Sequence, residues 1–187
     1  MQNVSVDREN SDGITSPEEG IADSVQTQLP PVAIENPRQD QVQEQVQEQD
    51  RISSLEKSLR QLPFNVNRLD DGSLEVDLGN SVSFDFDSAN FSPSSGSMLD
   101  KLVSALEPYT EISLRVVGHT DTKGPEYYNL RLSRRRAAAV AEYLKQHRVG
   151  TGSWVRVEGR GESDPVAPGD DERNRRIVLY ITPVHQG

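Results

Sequence analysis

The chain has 187 residues, enough for one ordinary domain with an extension or for two small domains. Its 30 acidic residues outnumber its 20 lysines and arginines, which disfavours nucleic acid as a partner because phosphate binding requires a basic surface. The chain has no cysteine, which excludes disulfides and cysteine-ligated metals, and no apolar run approaches the roughly 20 residues of a membrane-spanning helix. The N-terminus has neither a basic start nor an apolar core, so we expect any export signal or anchor to lie outside this sequence.

The N-terminal third of the chain is poor in residues that build a hydrophobic core. Every aromatic residue lies at or after Phe64, and residues 1–40 are mostly polar or acidic, which predicts a disordered arm. Residues 41–62 are rich in helix formers and predict an amphipathic linker helix with an apolar stripe of Ile52, Leu55, Leu59 and Leu62. Two heptads are too few to establish a coiled coil, so we expect a linker helix that docks on the following domain or frays in water, with a dimerising coil as the alternative.

Alternating apolar residues mark the start of the predicted folded domain, which covers residues 63–187. The segments Phe64–Leu69 and Ser73–Leu78 are predicted strands, and Asp70-Asp71-Gly72 supplies a turn that joins them as a β-hairpin. Residues Ser81–Phe86 alternate again and predict a third strand.

Strand and helix patterns then alternate to the end of the chain. The predicted elements are the helix Met98–Leu106, the strand Glu111–Val117, the helix from Leu132 to about Arg148, and the strands Trp154–Glu158 and Arg175–Thr182. A β-hairpin followed by this order predicts an α/β (α+β) two-layer sandwich, with a mixed β-sheet and helices on one face. The last two strands are candidates for an antiparallel pair.

The most informative segment is Gly118–Leu144, which contains a strand end, a polar loop with glycines and an amphipathic helix. The loop carries the acid Asp121 and the helix carries Arg136, and these groups pair with the ammonium and the carboxylate of an amino acid. We predict that Ser133 caps a new helix. A helix unbroken from Pro125 would place Arg136 about 16 Å along its axis, far from Asp121.

Four sequence features resemble the OmpA-like C-terminal domain, a family that binds peptidoglycan non-covalently in Gram-negative envelopes. In chain order they are Phe84-Asp85-Phe86-Asp87-Ser88-Ala89, Gly118-His119-Thr120-Asp121-x-x-Gly124, Asn129-x-x-Leu132-Ser133-x-x-Arg136-Ala137-x-x-Val140-x-x-x-Leu144 and Asn174-Arg175-Arg176. The resemblance covers about Val82 to Thr182. It implies the βαβαββ topology of that family, a location in the periplasm or cell envelope, and a role in tethering an envelope protein or complex to the wall.

The resemblance also implies a ligand, the free end of meso-diaminopimelate in the stem peptide of peptidoglycan. It assigns the two ligand-binding charges to Asp121 and Arg136. Four further side chains are expected around the zwitterion: Thr120 and Asn129 as hydrogen-bonding groups, Leu132 as a cover for the aliphatic arm, and Asp87 as the aspartate of the opening strand. No cofactor and no metal are expected.

Catalysis is not expected. His119 beside Asp121 has no further ligand at metal-binding spacing, and the chain lacks both G-x-S-x-G and the Gly-Lys-Ser/Thr ending of a phosphate loop. Asn174-Arg175-Arg176 is interpreted as scaffolding at the start of the last strand, with contact to glycan as the alternative. The alternative to wall binding is a protein-interaction module of the same fold in a secretion or motility complex, with envelope proteins contacting the arm or the helix of residues 41–62.

Overall fold

The computed structural model describes residues 37–109, 111–149 and 155–183. The part of the predicted disordered arm that precedes Pro37 lies outside these residues, as does Trp154 at the predicted start of a strand. Within the described ranges, no helix combines the length and the apolar character that crossing a membrane would require.

The described elements, in chain order, are α1 (Pro37–Leu59), β1 (Asn65–Arg68), β2 (Leu74–Asp77), a 3-10 turn (Gly79–Ser81), α2 (Ser95–Leu106), β3 (Ile112–His119), α3 (Glu126–Gln146), β4 (Val155–Gly161), a second 3-10 turn (Glu172–Asn174) and β5 (Ile177–Pro183). Five strands form one mixed sheet in the order β1-β2-β5-β3-β4, in which only β3 and β4 pair in parallel. The predicted mixed α/β fold and the hairpin of β1 and β2 are confirmed. The last two strands run in opposite directions, but they do not pair as predicted, because β3 lies between β5 in the middle of the sheet and β4 at its edge.

Helix α1 docks on the domain through its second half. Ile52, Leu55 and Leu59 are buried in the same apolar cluster as the strands, whereas Val42 and Val46 are 60% and 56% exposed. The helix begins at Pro37, before the predicted start at residue 41. Its N-terminal half therefore stands in solvent within the described part of the chain.

The three helices cover one face of the sheet. Leu114 and Val116 of β3 and Leu179 of β5 are fully buried and belong to the cluster that contains the leucines of α1, α2 and α3. The alternate residues Arg115 and Tyr180 point to the other face, where the guanidinium lies 3.9 Å from the ring centroid. This arrangement agrees with the predicted two-layer sandwich.

The predicted strand Ser81–Phe86 is wrong. Phe84 makes a single bridge with Phe91, outside the main sheet. The N–H of Ser83 donates to Ser95 Oγ at 2.9 Å, and Ser95 Oγ donates back to the Ser83 carbonyl at 2.8 Å. The remaining backbone bonds are local, from the N–H of Ser92 to the Ser83 carbonyl at 3.0 Å and from the N–H of Asp85 to the Asn90 carbonyl at 2.9 Å. The segment therefore pairs with the residues just before α2 and does not join the main sheet.

Two glycines allow α3 to lie directly against the sheet. A Cβ at Gly118 would stand 2.1 Å from the carbonyl oxygen of Ser133, and one at Gly159 would stand 2.5 Å from the backbone nitrogen of Arg134. Neither position tolerates a side chain without a shift of the helix. The contact fixes Ser133 at the level of Gly118, and Gly161 at the end of β4 lies against Asn129 and Leu130. Only about the first turn of α3 therefore extends beyond this end of the sheet.

Gly118→Ala is expected to lower the free energy of unfolding by about 2 to 3 kcal/mol, because the added methyl forces α3 off β3. The matched control is Gly96→Ala in α2, where an added Cβ meets no heavy atom within 4 Å. That control should be neutral or should stabilise by about 0.5 to 1 kcal/mol. Urea denaturation of the two variants measures the difference, and equal midpoints would contradict the proposed close contact.

His119 is the last residue of β3, and its burial makes the stability of the fold depend on pH. Its side chain is 5% exposed, and its Nδ1 atom has no hydrogen-bond partner among the described residues. Burial, reinforced by the charge of Arg176, lowers its pKa from 6.5 to about 4. The folded protein thus holds the neutral ring. The stability that this provides is present above about pH 6.5 and is lost as the pH falls towards 4.

His119→Gln removes this titration and is therefore expected to lose less stability than the wild type between about pH 6.5 and 4. His147→Gln serves as the control, because that ring is exposed. Melting temperatures across this range give the comparison. A wild-type pH profile in His119→Gln would show that His119 is not held neutral by the fold.

Candidate ligand-binding site

One half-open cavity of about 500 Å³ lies where the loop after β3 meets α3 and the segment before α2. All six side chains predicted from the sequence line it: Asp87, Thr120, Asp121, Asn129, Leu132 and Arg136. The structure thus brings the predicted residues together, and their role in binding stays a prediction. The other lining residues are Phe84, Asp85, Phe86, Lys123, Tyr128 and Arg175.

The predicted helix cap at Ser133 is wrong. Helix α3 runs without a break from Glu126 to Gln146, and Arg136 lies in its third turn. Ser133 Oγ donates to the carbonyl of Leu130 at 2.9 Å and accepts from the N–H of Gly161 at 2.9 Å. The serine therefore joins the helix to the end of β4 instead of starting a helix.

Arg136 nevertheless reaches the cavity of Asp121, because the loop after β3 folds back along the first turns of α3. The N–H of Thr120 donates to the carbonyl of Gly161 at 2.8 Å. The side-chain amide of Asn129 donates to the carbonyl of Asp121 at 3.2 Å. These bonds hold the loop against the end of β4 and the first turn of α3. Asp121 therefore lies alongside the helix and not beyond its N-terminus, so the axial rise of about 16 Å from Pro125 to Arg136 does not separate the two charges.

Asp121 is held in place by two donors. Its side chain is buried, with Oδ2 accepting from Arg175 Nη1 at 2.7 Å and Oδ1 accepting from the N–H of Lys123 at 3.1 Å. A carboxylate has about four acceptor positions, so both oxygens retain room for a further donor.

Arg136 is a buried cation without a carboxylate at ion-pair distance among the described residues. Its Nε donates to the carbonyl of Ser88 at 2.8 Å, and its guanidinium lies 5.1 Å from the ring centroid of Phe84. Burial first, and then the charge of Arg175, lower the pKa of Arg136, while Asp121 acts in the opposite sense. Arginine remains protonated in proteins, so the site keeps a desolvated positive charge.

The loop before α2 forms the other wall of the cavity and is fixed by its aspartate. Asp87 accepts a hydrogen bond from the hydroxyl of Tyr128 and has a backbone φ of 54°. A non-glycine residue in this region is strained, and such strain is typical of functional sites. Phe86 next to it is fully exposed at the mouth of the cavity.

Arg175 is the residue that the interpretation of Asn174-Arg175-Arg176 as scaffolding misses. Asn174 does act as a scaffold, since its side chain bonds the backbone of Val166 and Ala167. Arg175 instead lines the cavity and pairs with Asp121. Antiparallel pairing of β5 with β3, had it been predicted, would have placed Arg175 in the site, because the residues before β5 then lie beside the residues after β3.

The side-chain amide of Asn129 makes hydrogen bonds within the protein that the sequence did not predict. Its amide nitrogen donates to the Asp121 carbonyl and to Glu162 Oε2, the latter at 2.6 Å. Both amide protons are therefore engaged in holding the loop, and the side-chain carbonyl oxygen is the group left for a ligand.

The charges around the cavity are balanced. Three carboxylates and three cationic groups line it: Asp85, Asp87, Asp121, Lys123, Arg136 and Arg175. A cavity with a strong excess of one sign selects a simple anion or cation, whereas separated charges of both signs suit a zwitterion.

Comparison with known proteins places these features in a family. The chain is 36% identical over 110 residues to the peptidoglycan-associated lipoprotein of Rhizobium meliloti (strain 1021). The matched region is 57% of this chain and 62% of that relative, so the chain spans less than two thirds of the relative's length.

Two solved structures share the fold. A putative MotB like protein from Desulfovibrio vulgaris has a TM-score of 0.60 and 18% identity, over 79% of this chain and 99% of that one. The cell wall anchor of the T6SS from Pseudomonas aeruginosa has a TM-score of 0.53 and 25% identity, over 64% of this chain and 87% of that one. A family model described as OmpA family matches residues 83–177, which is 95 of the 187 residues. The resemblance is confirmed, and the chain belongs to the OmpA family.

Proposed function

We propose that this domain binds peptidoglycan non-covalently by holding the free end of a meso-diaminopimelate residue of the stem peptide. Such binding would tether an envelope protein or complex to the cell wall from the periplasm. The names of two similar proteins support the polymer as ligand, one being a peptidoglycan-associated lipoprotein and the other a cell wall anchor. The observation that carries the proposal is the cavity in which Asp121 and Arg136 meet.

The ammonium group of the ligand binds Asp121. This carboxylate already accepts from Arg175 and from the backbone of Lys123, which fixes its orientation before the ligand arrives. The ammonium uses the remaining acceptor positions and shares the carboxylate with Arg175. A preformed acceptor loses little conformational entropy on binding, which favours affinity.

The carboxylate of the ligand binds Arg136. Since Nε is engaged with the Ser88 carbonyl, the two Nη groups form the free edge of the guanidinium. That edge matches a carboxylate in a bidentate pair. The ligand supplies the anionic partner that this buried arginine lacks among the described residues.

Thr120 and Leu132 complete the contact with the rest of the zwitterion. Thr120 Oγ1 is buried and has no hydrogen-bond partner among the described residues, so a ligand group at this position would satisfy it. Leu132 is buried beside it and covers the aliphatic arm. Binding through two charge pairs in an open cleft contributes only a few kcal/mol, and repeated stems in the polymer supply avidity.

Asp121→Asn and Arg136→Lys are expected to reduce co-sedimentation with purified sacculi at least about tenfold, because each weakens one charge-assisted contact. Both variants are conservative in shape, and circular dichroism checks their folding. The controls are Asp70→Asn and Arg156→Lys, at exposed positions that do not line the cavity.

Sedimentation at the wild-type level by both cavity variants would exclude the proposed site. In that case the alternative, a protein-interaction module of the same fold, would be the better description.

Free meso-diaminopimelate is expected to displace the domain from sacculi, and Nα-acetyl-lysine amide to do so at least roughly tenfold less well. The blocked lysine keeps the side-chain ammonium but has no carboxylate, so it can bind Asp121 and cannot bind Arg136. Competition titrations with both compounds measure the ratio. Equal competition by the blocked lysine would contradict the role of Arg136 as the carboxylate-binding group.

A further inference from the structure

Three arginines form an exposed basic surface on α3, which we call the arginine face: Arg131, Arg134 and Arg135. Their spacing of three and four residues places them on neighbouring positions of the helix surface. The protein as a whole has a net charge of −10, so this surface is opposite in sign to the net charge of the chain.

The arginine face has no carboxylate partner within the described residues, unlike most other exposed arginines there. Arg60 pairs with Glu56, and Arg160 pairs with Glu158. No acid occupies a position three or four residues from any member of the face along the helix. Like charges at this spacing destabilise a helix, so the face costs stability that no intramolecular ion pair offsets.

The arginine face is continuous with the cavity. Tyr128, Arg131 and Arg135 lie at positions i, i+3 and i+7 and form one row along α3. The guanidinium of Arg135 lies 6.0 Å from the ring centroid of Tyr128, and Tyr128 lines the cavity and binds Asp87. A polymer that fills the cavity and continues along this side of the helix therefore passes over Arg135 and Arg131, and Arg134 lies further round the helix, beside β4.

We infer that the arginine face is a second binding surface, which takes carboxylates of the stem peptides next to the one held in the cavity. This inference rests on the proposed function. Stem peptides carry several free carboxylates, and the planar guanidinium with its five donors is the side chain best matched to them. The contacts are exposed, so they mainly accelerate encounter and are screened by salt within a Debye length of about 10 Å at 0.1 M.

The test is a triple variant of the full chain, Arg131→Gln, Arg134→Gln and Arg135→Gln. Its control carries the same change in net charge at exposed positions away from the cavity: Lys57→Gln, Lys101→Gln and Arg156→Gln. At low ionic strength the arginine-face variant is expected to bind sacculi about fivefold to twentyfold less tightly than the control, with a shallower dependence on salt. Its affinity for free meso-diaminopimelate, measured by calorimetry, should stay at the wild-type value.

Equal sacculus binding and equal salt dependence of the two triple variants would overturn the inference. Vesicles containing phosphatidylglycerol provide a further arm. Loss of vesicle binding in the arginine-face variant, with sacculus binding unchanged, would assign the face to lipid phosphates and would also overturn it. A failure of the proposed function looks different, because Asp121→Asn would then keep wild-type binding whatever the arginine face does.

Discussion

The contact between α3 and the end of the sheet is the constraint on which the site depends. Gly118 and Gly159 admit the backbone of α3 at distances that any side chain would prevent, and Ser133 locks the helix to Gly161. This contact sets how far α3 extends beyond the strands. The loop after β3 has only that projecting part of the helix to pack on, and so Asp121 arrives beside a residue three turns along α3. Backbone packing thus brings the two charged residues to one cavity, and the ion pair with Arg175 then orients the carboxylate of Asp121.

The cavity holds interactions that the fold does not need for stability. Three features each raise the free energy of the folded state. Within the described part of the chain, Arg136 lacks a carboxylate partner and the hydroxyl of Thr120 lacks a hydrogen bond, and Asp87 has a positive φ. The apolar cluster beneath the sheet compensates for them. Concentration of unfavourable local features around one cavity is typical of a site shaped by binding.

The sequence predicted the regular helices and strands well and the segments between them poorly. The hairpin, α2, β3 and β5 follow from apolar periodicity, which reports the faces of an element directly. The strand at Ser81–Phe86 failed because the side chain of Ser95, twelve residues later, binds the N–H of Ser83, and the Ser83 carbonyl pairs with Ser92 instead of with a strand of the sheet. No local pattern contains that bond.

The six predicted site residues do share one cavity, although the reasoning that placed Arg136 there was wrong. The distance argument treated the loop as a fixed extension of the helix, whereas it folds back along it. Arg175 was missed for a similar reason, since its position depends on β5 inserting next to β3, and strand order is not encoded in periodicity.

The exposed N-terminal half of α1 has a mechanical consequence. This helix meets the sheet at β1, where Gln49 accepts a hydrogen bond from Arg68, and β1 is the edge strand farthest in the sheet order from β4. Tension applied to the chain ahead of Pro37 would be transmitted along α1 and would first detach Ile52, Leu55 and Leu59 from the apolar cluster. Helix α1 would then separate from the domain under load, while the opposite edge of the sheet, with α3 and its cavity, keeps its structure.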